Sequence, residues 1–178
     1  CRAWITEAQN MIPFAHELGH NLGMAHAGTD TNNDGTTEST YGDYSDPMGS
    51  SRTPKLFNAA HLDQMKWGSA VTGATEVVSQ TGTYEISTMG GDYTSLIAPY
   101  FRKIRKGMTS DYYYISLRRP IGYDNLVSAP YSAGVNIHRH AGGGNYTNYI
   151  TTLAAGGSWV DTKNGITIKN VQVAADNI

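Results

Sequence analysis

His16-Glu17-Leu18-Gly19-His20-Asn21-Leu22-Gly23-Met24-Ala25-His26 is the stretch on which the reading of this chain turns. Residues four apart on an α-helix lie roughly 40° apart around its axis, so His16 and His20 share a face. Gly23 falls near that face about one turn later. A third histidine that simply continued up the helix would move away from the other two. Glycine enters the left-handed conformation cheaply, so Gly23 is placed to end the helix and let His26 swing back. Three imidazoles at this spacing fit a tetrahedral zinc site with its fourth position open to water, the arrangement of a catalytic rather than a structural zinc. No further Cys or His follows at the spacing of a structural site.

Glu17 follows the first histidine directly. It sits too far around the helix to be an easy fourth ligand but within reach of a water on the metal. Zinc lowers the pKa of such a water to about 7, and a nearby carboxylate can then take its proton and pass it to a leaving amine. Met11, Ala15, Leu18 and Leu22 form an apolar stripe roughly opposite the histidines that needs a packing partner. Pro13 suits the first helical turn, where a missing N–H costs little.

Residues 28–38 form a polar loop in which Asp30, Asn32, Asp34 and Gly35 reproduce the first half of a calcium loop, D-x-N-x-D-G. Tyr41 stands where the bidentate glutamate would be, so Glu38 would have to serve in a different geometry. An ordinary Asn/Asp/Gly turn is the alternative. Residues 58–67 read as a helix capped by Asn58, with Leu62 and Met65 on its apolar face and Gly68 as its stop. His61 on it reads as structural.

Beyond residue 70 the dominant period is two. Tyr84 and Ile86, Ile166 and Ile168, and Val171 and Val173 alternate with polar residues. Residues 111–118 suit a central strand, and residues 134–138 place Val135 and Ile137 on one face. Asn164-Gly165 reads as a two-residue hairpin turn between Trp159-Val160 and Ile166. His138-Arg139-His140 lacks a carboxylate partner, and the Gly142-Gly143-Gly144 run beside it suggests a loop. Short strands at this spacing predict an antiparallel β-sandwich.

The eleven-residue motif resembles that of the metzincin clan of zinc peptidases, HExxHxxGxxH followed by a Met-turn. Within that clan the chain is similar to the gametolysin-type peptidases, a family of secreted endopeptidases. The segments that carry the similarity are HELGHNLGMAHAG, YGDYSDPMGSS, FNAAHLDQMKWGS, YYYISLRRPIGYDN and GVNIHRH. The resemblance implies that Met48 forms an apolar floor beneath the imidazoles. It implies that Arg118, Arg119 and Asp124 fix strand and loop geometry. Ala27-Gly28 departs from the aspartate of the reprolysin branch, and Ser50 stands where an astacin-type tyrosine ligand would be. It also implies a twisted N-terminal sheet ahead of the active-site helix. Only ten residues stand there, so the chain reads as the C-terminal part of a longer protease.

The expected fold class is therefore α+β and β-rich. Residues 1–70 would form the C-terminal subdomain of a metzincin catalytic domain, and residues 71–178 an antiparallel β-sandwich. The expected activity is zinc-dependent hydrolysis of peptide bonds in extracellular protein or glycoprotein substrates. His16, His20 and His26 would hold zinc, and Glu17 would serve as general base. Calcium at Asp30, Asn32, Asp34 and Glu38 is a second metal expectation. The alternative is a non-catalytic fragment whose sandwich binds matrix or cell-wall polymers. The net charge of −2 gives no footprint for nucleic acid, and no apolar run is long enough to span a bilayer. Cys1 has no partner in the chain, and an oxidising compartment would allow it one in a preceding segment.

Overall fold

Tyr112–Arg118 is the strand on which the molecule is assembled. Its aromatic and β-branched residues suit a pleated, buried position, and six of its seven residues run unbroken against a neighbour on one side. The computed structural model describes residues 11–67, 75–91 and 98–172. In chain order the elements are α1 (Ile12–Asn21), β1 (Ala27–Thr29), α2 (Ala59–Gln64), β2 (Thr75–Val78), β3 (Thr88–Met89), β4 (Phe101–Arg105), β5 (Tyr112–Arg118), β6 (Val135–His140), β7 (Thr147–Leu153), β8 (Ser158–Asp161) and β9 (Ile166–Lys169). A seven-stranded sheet runs β1-β7-β6-β5-β4-β2, with β3 also paired to β5. The central pairs β4/β5, β5/β6 and β6/β7 are antiparallel, while β1/β7, β2/β4 and β3/β5 are parallel.

The molecule is α+β and β-rich, as its sequence predicts, but its layers differ from the expected sandwich. Among the described residues one mixed sheet stands where two packed antiparallel sheets were expected, and its second layer is only the β8/β9 hairpin. The sheet also crosses the expected division at residue 70. β1 precedes it and pairs with β7, far beyond it. A three-residue strand is too short to show a period of two, so its pairing could not be read from sequence.

Register decides what each face carries. Tyr113, Ile115 and Leu117 lie opposite Arg139, Ile137 and Val135. Tyr113, Ile115, Val135 and Ile137 cluster with Ile150 and Leu153, and Ile168 and Trp159 of the hairpin close over them. Tyr112, Tyr114 and Ser116 lie opposite His140, His138 and Asn136 on the other face, toward α2. His138, Arg139 and His140 are thus part of β6, not of a loop; the turn begins after them.

Asn58 caps α2 as expected, its side-chain oxygen accepting from the His61 N–H at 3.0 Å. Gly68 and Val173 lie outside the described residues. The hairpin connection spans four residues, 162–165, rather than two. Asp161 takes the Asn164 N–H at 3.1 Å, and Gly165 carries the positive φ of +66°. Tyr84 and Ile86 belong to no strand.

Candidate metal centre

α1 ends as the glycine requires. Gly23 has φ +91°, its N–H donates to His20 O at 3.0 Å, and the Met24 N–H reaches back to Gly19 O at 2.9 Å. This pair of reversed bonds is the Schellman motif. It turns the chain so that His26 meets the two helical histidines. His16 Nε2 lies 3.1 Å from His20 Nε2, which lies 3.1 Å from His26 Nε2.

The outer nitrogens explain why the inner ones converge. His16 Nδ1 donates to Pro47 O at 2.9 Å and His20 Nδ1 to Met24 O at 3.0 Å. A carbonyl can only accept, so each of these Nδ1 atoms carries the proton of the neutral ring and each Nε2 presents a lone pair. Lone pairs facing one another repel unless a cation sits between them. Tetrahedral coordination at about 2.0–2.1 Å places ligand nitrogens about 3.3–3.4 Å apart, close to the spacing here. Of the described residues, these three are the only group of three or more His, Cys, Asp or Glu gathered this way. Burial lowers the His26 pKa, His20 and His16 lower it further, and Glu17 opposes them. The residues therefore fit a divalent, imidazole-preferring metal such as zinc.

Met48 is fully buried, and a Cβ at Gly19 would overlap its sulfur. The helix thus rests directly on the Met-turn, with Met24, Ala27 and Met48 clustered beneath it. The stripe that needs a partner is exposed: Met11 is 62 %, Leu18 57 % and Leu22 43 % accessible, while Ile12 and Gly19 are buried. Burial follows the Met48 side of the helix, because that is where the turn supplies a partner.

Sequence reasoning missed what holds the Met-turn. Asp46 accepts from the Met48 N–H at 2.7 Å, the Asn58 N–H at 2.6 Å and His61 Nδ1 at 2.9 Å. Asp43 accepts from the Ser45 N–H and hydroxyl, from the Asn58 amide and from His138 Nε2 at 2.9 Å. Burial would raise the Asp43 carboxyl, but His138 and the Ser45 donors hold it below the ordinary range. Arg118 is fully buried, paired with Asp124, and donates to Ser45 O and Leu56 O. One local signal was available: Asp43-x-Ser45 and Asp46-Pro-Met48 are both Asx-turn spacings. Tyr41 and Tyr146 were missed as well. Their rings lie 4.0 and 5.8 Å from the His26 ring.

The loop of residues 30–38 is closed by its own hydrogen bonds. Asp30 takes the Asp34 and Gly35 N–H groups, both at 3.1 Å, and Arg139 Nε at 3.0 Å. Glu38 takes the Thr31 N–H and hydroxyl and the Asn32 N–H, and Asp34 takes the Thr36 N–H. Asn32 donates to Asp34 at 3.2 Å.

Three convergent imidazoles with a carboxylate beside the first are the equipment of a metal-dependent hydrolase, and the class they define is metallopeptidase. A family model described as gametolysin peptidase M11 matches residues 4–155, and the chain belongs to that family. No curated protein and no solved structure matches it.

Proposed function

We propose that this chain carries the zinc site of a secreted metzincin-type metalloendopeptidase acting on extracellular proteins or glycoproteins. His16, His20 and His26 are its zinc ligands, Glu17 its general base and Met48 the apolar floor. The convergence of three Nε2 lone pairs, two of them fixed by Nδ1–carbonyl bonds, is the observation that carries this reading. Zinc held there supplies Lewis-acid polarisation of a peptide carbonyl and lowers the pKa of the attacking water. Glu17 would serve as the general base for the attacking water and as the proton donor to the leaving amine. Pro47 O and Met24 O keep two imidazoles in the tautomer that offers Nε2 inward. The seat of the helix on Met48 fixes its height above the turn.

Calcium is not part of the proposal. An ion at Asp30, Asn32, Asp34 and Glu38 would have to displace the Arg139 guanidinium and backbone N–H groups from the carboxylates. A separate polymer-binding module is set aside too, because β1 and the Met-turn are joined to the same sheet as β5, β6 and β7.

Elemental analysis of the purified chain, paired with peptide hydrolysis with and without chelator, tests the reading. We expect one zinc per chain and chelator-sensitive cleavage. Glu17→Gln should retain the metal and lose about 10²–10⁴-fold in rate. Wild-type turnover by that variant would remove Glu17 from the mechanism.

A further inference from the structure

An open recess of about 500 Å³ is lined by Tyr44, Ser50, Ser51, Arg52, Thr53 and Lys55. It begins two residues past Met48 and adjoins the metal centre through two contacts. The Ser50 N–H donates to Tyr41 O at 2.9 Å, and the Tyr41 ring lies on His26 at 4.0 Å. The recess is thus linked to the metal centre through Tyr41.

The recess is rich in donors and short of negative charge. The Lys55 ammonium is half-buried and donates to Tyr44 O at 3.0 Å and Ser51 Oγ at 3.1 Å, both neutral acceptors. One of its three N–H groups is left over. Burial lowers its proton affinity, Arg118 lowers it further, and Asp43 and Asp124 oppose them. Arg52 is exposed and makes no ion pair with a described residue. The nearest carboxylates are already engaged: Asp124 pairs with Arg118 and Asp43 with His138. Two cations thus share a concave surface with hydroxyl donors and no carboxylate among its lining residues. A half-buried ammonium whose direct hydrogen-bond partners are all neutral would gain a charge-assisted bond from an incoming carboxylate.

We propose that this recess is a specificity subsite that takes an acidic side chain, Asp or Glu, of the polypeptide being cut, selected by Arg52 and Lys55. The inference rests on the peptidase reading above. Tyr44, Ser50 and Thr53 add neutral hydroxyl donors for a carboxylate.

The test is cleavage-site profiling of a peptide library by mass spectrometry, followed by matched peptides carrying Glu or Gln at the enriched position. The expected result is enrichment of Asp and Glu at one position and a Glu-over-Gln ratio in kcat/KM of about tenfold. Arg52→Ala, at an exposed site, should bring that ratio toward one, and Arg52→Glu should shift preference toward Lys. Chelator-sensitive cleavage without acidic enrichment would overturn the subsite and leave the peptidase standing. If the chain cleaves nothing, the peptidase reading fails and binding decides the recess alone. Fluorescence anisotropy of a labelled Glu peptide should then show tighter binding than its Gln twin, with the difference lost in Arg52→Ala. Equal binding of the two peptides would overturn the subsite.

Discussion

The two faces of the central sheet come from the same strands, yet they are held differently. Toward the hairpin, Tyr113, Ile115, Val135 and Ile137 meet Ile168 and Trp159 in a mainly apolar layer. Toward the Met-turn, His138 meets Asp43, Arg118 meets Asp124, and His61 of α2 meets Asp46, all of them buried. Apolar contact is non-directional and tolerates small shifts. A buried ion pair is directional and fails if its geometry slips. The face that holds the Met-turn, on which the histidine helix rests, is the directional one. The face that only needs to be dry is the apolar one.

The strongest break is Arg118→Met. It leaves Asp124 buried without its partner and two carbonyls without a donor, and should cost about 3–5 kcal/mol in urea unfolding. Molecules that still fold should bind zinc more weakly, because Ser45 begins the segment that carries Met48. Ile137→Ala, on the apolar face, should cost about 3 kcal/mol while leaving zinc affinity of the folded protein unchanged. Equal loss of zinc affinity in both variants would erase the distinction between the faces.

Acid sharpens it next. Burial, aided by His61, lowers His140 to about 4 against the opposing pull of Tyr146 O, Asp63 and Asp111. A free histidine titrates near 6.5, so between those values the unfolded chain holds a proton that the folded one refuses. Stability should therefore fall as pH drops from about 6.5 toward 4, by about 2–3 kcal/mol. His140→Gln should flatten that limb of the thermal-melt profile. Asp43, whose pKa is lowered, loses its stabilisation in the same direction, as pH falls toward its folded value. The smallest effect is expected from Tyr113→Phe. It removes hydroxyl bonds to Asp161 at 2.7 Å and Asn33 at 3.0 Å and should cost about 1 kcal/mol with the metal centre untouched.

Local chemistry was legible wherever a feature is completed within a few residues. The shared face of His16 and His20, the helix stop at Gly23 and the Asn58 cap each need only their neighbours in the chain, and each has the expected structure. β5, β6 and the β8/β9 hairpin were visible as alternation, although the hairpin loop is longer and β6 runs on to His140. The Met11–Leu18–Leu22 stripe was visible as an apolar face, but periodicity does not say what covers such a face.

What the sequence by itself determined is the eleven-residue arrangement that brings three imidazoles toward one point, since helix period and glycine conformation are local properties. Only the tertiary structure decided what holds that point in place. β1 joins β7 in parallel, His138 reaches Asp43 across 95 positions, and Arg118 reaches Ser45 across 73. No short-range period encodes such pairings. They follow from strand register, and from the requirement that every charge removed from water meet an opposite one.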